Sequence, residues 1–600
     1  MPFGATPALD GATRFRLWAP GAGRVTLELT GEATRAALPM TALEDGWHEA
    51  VVPRCGAGAR YAFRVGAGQP VPDPASRCNP DDVHAPSMVV DPLAFEWPDA
   101  GWRGRPWEEA VIYELHIGTF TPAGTFAAAI ERLDHLVALG VTAIEIMPLA
   151  EFAGRRNWGY DGVLPFAPES AYGTPEDLKT LIAAAHAREL MVLLDVVYNH
   201  LGPEGNYLHS YAPQFFNARH QTPWGAAINF DAAGARTVRE FFIHNALYWL
   251  EEYHFDGLRL DAVHAIVDES DPHIVEALAR AVRDGPARER HVHLVLENDR
   301  NEARFLARET RRPPPLANAQ WNDDAHHALH VLVAGERDGY YADYADQPVS
   351  RLGRALAEGF AYQGECSAYR GGGARGEPSA HLPPTAFVNF LQSHDQIGNR
   401  AFGERIGALA APEALVAATA CVLLAPSVPL LFMGEEFFAS TPFLYFCDFG
   451  PDLATAVARG RREEFGRFAR FSDPEVRATI PDPNDRATFE RSRLVWSETE
   501  QSPHREWLEF CRALLALRRQ HVVPRLARMS GGGTFECVSR AALAVHWTLG
   551  DGARLHLAAN LSADSAAAVR PPGTVIYANG PLDAGLAPWS VVCTLESTDA

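Results

Sequence analysis

Four short stretches of the 600-residue chain place acids or opposite charges where a core strand would otherwise be apolar: DVVYNH (195–200), FDGLRLDAV (255–263), HVHLVLEND (291–299) and FLQSHDQ (390–396). In the second, Arg259 and Asp261 stand two apart. Residues i and i+2 of a strand share a side, so the guanidinium is expected beside the carboxylate. An adjacent cation favours the ionised carboxylate, which suits a nucleophile or an electrostatic stabiliser. Glu297, crowded by other acids with little solvent, is expected to keep its proton. One ionised and one protonated carboxyl roughly 5 Å apart is what a retaining glycosidase requires. Asp395 would be a third acid, held near the sugar to favour an oxocarbenium-like state.

A single buried carboxylate is commonly half of a structural ion pair. Acids at this many strand ends call for a shared reason, because each costs desolvation and raises its neighbours' pKa values. Around them, His200 and His394 are candidates for binding sugar hydroxyls, with Asn199 beside His200. Asp195 belongs to the same set, either facing substrate or orienting other side chains. Tyr160, in NWGYDG, offers a face on which a sugar could stack.

These groups need a scaffold that gathers strand ends. Strands are expected at VIYELHIG (111–118), VTAIEIMPL (141–149), LMVLLDVVYNH (190–200), FDGLRLDAV, HVHLVLEND, TAFVNFLQSHD (385–395) and SVPLLFMGEE (427–436), with a weaker one at NAQWND near 318. Helical patterns alternate with them, including TPEDLKTLIAAAHAREL (174–190), where Thr174 can cap and Pro175 suits the first turn. Eight strand–helix units predict an α/β chain built on a (β/α)8 barrel, whose catalytic groups sit at the C-terminal ends of the strands. A doubly wound open sheet is the competitor, but no Gly-rich phosphate turn follows the first strand. Short alternating segments before and after predict an immunoglobulin-like β-sandwich at 1–96 and a second β-sandwich at 522–600. The barrel, with a linker and inserted loops, would occupy 97–521.

Composition narrows the partners. Acids outnumber Lys and Arg by 75 to 53, a formal charge of −22. This argues against a nucleic-acid groove and leaves neutral substrates open. No apolar run reaches the roughly 18–20 residues a membrane span needs. The start, MPFGATPALDG, has no basic region followed by an apolar one, and the eight cysteines are scattered without CxxC spacing; the expectation is a cytoplasmic protein. The histidines at 326, 327 and 330, and at 291 and 293, lack an HExxH pattern and read as hydrated surface groups rather than metal ligands. GGGARG (371–376) lacks the GKS or GKT of a phosphate loop and reads as a mobile loop. No metal or cofactor is expected.

DVVYNH, GLRLDAVH (257–264), the Glu297 strand end and FLQSHDQ resemble, in order and spacing, the four short segments of the α-amylase superfamily of glycoside hydrolases. The resemblance implies Asp261 as nucleophile, Glu297 as general acid/base and Asp395 as transition-state stabiliser. His200, Arg259 and His394 match its sugar-binding and orienting positions. RPPPLANAQWNDDAHHALHVL (312–332), RGEPSAHLPPTAFVNFLQSHDQIGNRAFGERI (375–406) and PLLFMGEEFFASTPFLYFCDF (429–449) resemble the branch acting on maltooligosyltrehalose. Ser393 departs from the asparagine more usual in that branch. The implied reaction is hydrolysis of the α-1,4 bond between a maltooligosyl chain and terminal trehalose, on related α-glucans and without a cofactor. A glycogen branching enzyme, sharing the mechanism but passing the glycosyl group to a sugar hydroxyl, is the alternative. A non-catalytic glucan-binding module would have lost at least one of the three carboxylates, and all three are present.

Overall fold

The structure is a computed structural model that describes every residue except 31–35, 309–313, 467–468, 569, 582–584 and 598–600. The first two residues of the 312–332 stretch and the last three of the 522–600 domain therefore lie outside the described residues.

The centre is a closed barrel of eight parallel strands: β1 (Ile112–Leu115), β2 (Ala143–Ile146), β3 (Met191–Val196), β4 (Gly257–Leu260), β5 (His293–Leu296), β6 (Ala319–Trp321), β7 (Phe387–Asn389) and β8 (Val428–Phe432). Every strand anticipated from the pattern is present, the weak sixth included. All are buried on both faces. This explains near-continuous apolar runs where a half-exposed strand would alternate. Register then fixes which polar residues meet. Asp195 of β3 pairs with Arg259 of β4, and Glu114 of β1 pairs with Glu145 of β2.

The helix Pro175–His186 starts as its sequence dictates. Thr174 accepts from the Asp177 amide, and the Asp177 side chain accepts from the Thr174 amide in return. The helical pattern at 125–140 is broken instead into Phe126–Ile130 and Leu133–Leu139, and ends at Gly140 in a left-handed conformation. Pro412–Leu424 is apolar on nearly every side because it is sandwiched between layers. It touches the helix His504–Leu517 and two strands of the C-terminal sheet.

The N-terminal residues form two facing antiparallel sheets. Along Thr13–Trp18, Phe15 and Leu17 point into the core while Arg14 and Arg16 alternate outward. The C-terminal β-domain is one five-stranded antiparallel sheet among the described residues, ordered Thr534–Cys537, Ala542–Thr548, Arg554–Asn560, Ser590–Glu596, Thr574–Ala578. The layer facing it is helical: Pro348–Glu358 and Pro412–Leu424 of the barrel cover its inner side. Gly353 permits this contact, since a Cβ there would lie 2.3 Å from the Phe535 ring.

Other expectations change as well. His293, His326 and His330 are buried rather than hydrated, and His293 Nε2 meets the Arg105 carbonyl at 2.9 Å. The helix Asp323–Ala334 turns the latter two inward, where His326 Nδ1 meets the Leu391 carbonyl at 2.6 Å and His330 stacks on Tyr341 at 4.2 Å. The GGGARG segment is pinned by its arginine. Arg375 is buried and donates to Asp324 at 2.7 Å.

Candidate active site

The acids expected from the sequence converge at the C-terminal mouth of the barrel. Arg259, fully buried at the end of β4, donates through Nη1 to Asp261 Oδ1 at 2.7 Å and to Asp195 Oδ2 at 2.8 Å. Its Nη2 lies 3.5 Å from Glu297 Oε2. The guanidinium is stacked 4.3 Å from the centre of the Trp321 ring of β6. A planar fork held on an aromatic face is oriented as well as charged, which a lysine would not be. One cation therefore holds the acids of three adjacent strands.

Just beyond Asp261 the chain turns through Ala262, which has φ +39° and ψ +52°. A non-glycine residue in this left-handed region is strained by roughly 1–2 kcal/mol, and such strain persists where neighbours over-determine it. Here the Ala262 amide is aimed at Glu297 Oε2, 2.6 Å away. Asn199 Nδ2 donates to the other Asp261 oxygen at 3.1 Å, and its own carbonyl oxygen faces His200 Nδ1 at 2.5 Å. His200 Nε2 in turn reaches the Tyr160 carbonyl at 3.0 Å.

Exposure separates the acids by task. The side chains of Asp261, Glu297 and Asp395 are 13%, 14% and 40% exposed, whereas that of Asp195 is 2%. The first three open to the cleft. Asp195 is spent on Arg259 and on the Tyr160 hydroxyl at 2.7 Å, so it orients rather than faces substrate. Burial pushes its carboxyl up to about 6 despite Arg259. Burial also drives Glu297 well above the usual carboxylate range; Arg259 opposes this, and Asp261 and Asp395 reinforce it.

His394 lies beneath Tyr160, their rings stacked at 5.1 Å. The only hydroxyl proton of Tyr160 goes to Asp195, so Tyr160 accepts from His394 Nε2 at 2.8 Å. His394 Nδ1 and backbone amide both meet the Glu114 carboxylate of β1. Two donating ring nitrogens describe an imidazolium. Burial works against that charge, but Glu114 and Asp395 outweigh it and raise His394 to about 9. Ser393, the departure from asparagine, caps the short helix His394–Gly398 reciprocally with Gln396, a task either residue performs.

All nine expected residues are thus in one place, with Tyr160 bonded to Asp195 and His394, and Asn199 joining Asp261 to His200. Others were not anticipated. Glu114 and Glu145 are lone acids inside the apolar strands VIYELHIG and VTAIEIMPL, so the signal that singled out Asp261 was available for both. Trp224, at the tip of the hairpin formed by Phe216–Thr222 and Gly225–Ile228, is half exposed and stacks over His200 at 5.6 Å. No local pattern marks it, because its place depends on how the hairpin folds back over the mouth. Among the described residues no group of three or more His, Cys, Asp or Glu is arranged to hold a metal ion.

An eight-stranded parallel barrel with paired carboxyls at the ends of β4 and β5 and a third after β7 defines an α-amylase-type glycoside hydrolase. Accordingly, the alpha amylase catalytic domain model matches residues 81–223. The carbohydrate-binding module 48 (isoamylase N-terminal domain) matches 2–88, and a domain of unknown function, DUF3459, matches 530–593. The malto-oligosyltrehalose trehalohydrolase of Arthrobacter ramosus is 45% identical over 86% of this chain and 88% of its own. The chain belongs to the malto-oligosyltrehalose trehalohydrolase family. A solved Salmonella typhimurium protein, described only as an alpha-amylase candidate, superimposes with a TM-score of 0.95 at 46% identity over 99% of both chains. A 1,4-alpha-glucan branching enzyme of Streptomyces avermitilis is similar over only 42% of this chain and 45% of its own, at 35% identity.

Proposed function

We propose that this protein hydrolyses the α-1,4 bond joining a maltooligosyl chain to a terminal trehalose, releasing trehalose with retention of configuration. Asp261 attacks the anomeric carbon and forms the covalent glycosyl–enzyme. Glu297 gives its proton to the leaving oxygen, then takes one from the water that attacks the intermediate. Asp395, open to the cleft, stabilises the sugar between these steps, and Arg259 holds Asp261 and Glu297 in register. The observation that carries the reading is the shared guanidinium. Asp261 and Glu297 sit on one cation in one cleft, and burial pushes Glu297 to keep its proton.

Water as acceptor and trehalose as leaving group are supported by relatives matched over nearly the whole chain. The alternative, a glycogen branching enzyme, rests on a likeness to less than half of it. We further infer domain limits of 1–96, 97–521 and 522–600, and neutral α-glucans rather than nucleic acid as partners. No helix among the described residues is long and apolar enough to cross a membrane. Eight unpaired cysteines, six of them buried, support a reducing cytoplasm, and the proposed release of trehalose is what supports a place in trehalose biosynthesis.

Maltopentaose, maltotriosyltrehalose and glycogen supplied side by side test the reading. Rapid trehalose release from the second is expected, and new branches in glycogen would favour the alternative. Asp261→Asn should lower kcat at least about 10³-fold, roughly 4 kcal/mol of barrier. Full activity in that variant would remove the assigned nucleophile.

A further inference from the structure

Glu114, fully buried on β1, spends both carboxylate oxygens on one residue. Its Oε2 accepts from the His394 backbone amide at 3.1 Å, and its Oε1 meets His394 Nδ1. The opposite ring nitrogen, Nε2, lies 2.8 Å from the Tyr160 hydroxyl and 3.4 Å from Asp395 Oδ1. Trp158 stands edge-on to the ring at 5.5 Å while Tyr160 stacks on its face. The imidazole is thus fixed at both ends between two carboxylates. A neutral ring would turn a lone pair toward one of them, so the arrangement calls for the imidazolium. Asn399 Nδ2 also donates to Asp395 Oδ1, at 3.2 Å. One oxygen of the third acid is held from two sides, which leaves the other for the sugar.

We propose that Glu114 is a positioning residue for the reaction, fixing His394 so that Asp395 is held against the sugar ring where positive charge develops. For the role of Asp395 this rests on the hydrolytic reading above. Glu114 cannot touch substrate itself: its side chain is 1% exposed and that of His394 2%, against 40% for Asp395. Its effect therefore passes through the imidazolium. A preorganised charge of this kind acts in the transition state and needs no reorganisation at the moment of reaction. The charged and titratable groups around His394, besides Glu114 and Asp395, are His116 just past β1, Glu145 on β2, Tyr160, Asp195 on β3 and Arg259 on β4. Burial and Arg259 oppose its proton; Glu114, then Asp395, outweigh them and raise the group to about 9.

α-Maltotriosyl fluoride isolates this step, because fluoride departs with little help from an acid and the proton on Glu297 leaves the pH profile. Wild-type kcat/KM on it should fall through about pH 9 to a lower plateau. Glu114→Gln should sit at that plateau from neutral pH upward, at least about ten-fold below wild type at neutrality. The loss should lie in kcat, with KM within about three-fold. Damage to the fold alone would scale the rate and leave the inflection in place. Glu114→Gln added to His394→Asn should cost less than about two-fold, since the path runs through His394. If Glu114→Gln does not fold, Glu114→Asp replaces it: the charge stays but draws back by one methylene, and the inflection should move to lower pH. An inflection missing in wild type or unmoved in the variant, or a full further loss in the double variant, overturns the assignment. Failure of the parent reading shows separately, as wild-type protein that consumes the fluoride yet releases no trehalose from maltotriosyltrehalose.

Discussion

Arg259 Nη1 lies 2.7 Å from Asp261, and the same nitrogen lies 2.8 Å from Asp195. On the proposed reading, the arginine that holds the buried acid also positions the nucleophile. It neutralises a buried acid below while orienting an open acid above.

Arg259→Lys should therefore fail at both tasks. A lysine ammonium is a point charge that cannot span Asp195, Asp261 and Glu297 while lying flat on Trp321. A loss in kcat/KM of about 10²-fold or more is expected. Arg259→Met leaves the buried Asp195 without its cation, and chemical denaturation should show it destabilised by about 3–5 kcal/mol. Near-wild-type behaviour in both variants would contradict the shared role.

Glu297 must be protonated to act as an acid, and its environment raises its pKa. Activity should therefore persist at neutral pH and fall on the alkaline side, about ten-fold per pH unit once the group ionises. Glu297→Gln should flatten that alkaline limb and cost about 10²–10⁴-fold in rate. A pH–rate profile of both proteins decides it.

Glu114→Gln removes the anion that keeps His394 charged. Burial then dominates, and the ring should fall below its ordinary pKa. In the wild type the group's raised pKa contributes stability that is fully present below about pH 6.5 and is lost as pH rises through about 9. The melting temperature of Glu114→Gln should thus fall furthest behind wild type near pH 6 and approach it above pH 9. Imidazole resonances titrating near 9 in one protein and absent there in the other would give the same answer.

Glu145 carries two buried carboxyl oxygens with no hydrogen-bond partner. Burial, with Glu114 beside it, pushes its pKa well up. Folding therefore favours the neutral form, and the unfolded chain gains relative stability as pH rises above about 4.5. Glu145→Gln should melt with wild type near pH 4.5 and at a higher temperature from pH 7 upward. Melts across that range that never separate would show that Glu145 is not held neutral.

Much of this protein is fixed locally. Alternating apolar runs and helix patterns give the barrel's strand count, because a strand buried on both faces must be apolar and a crossover helix must follow it. The two-residue spacing of Arg259 and Asp261 puts their side chains together before any fold is known. An acid in such a strand is conspicuous because burying a charge costs so much. Applied evenly, that signal would have extended to Glu114 and Glu145. Partnership could not be read in the same way. Asp195 and Asp261 look alike in sequence, and only the pairing of β3 with β4 aligns Asp195 with Arg259, where it is sunk while Asp261 stays open. Asp323 and Asp324 are adjacent, yet only Asp324 bonds to Arg375, because the segment that supplies Arg375 packs from fifty residues away. The histidines at 326 and 330 are buried for the same reason. Sequence set which groups could do chemistry; long-range packing decided which of them remain free to do it.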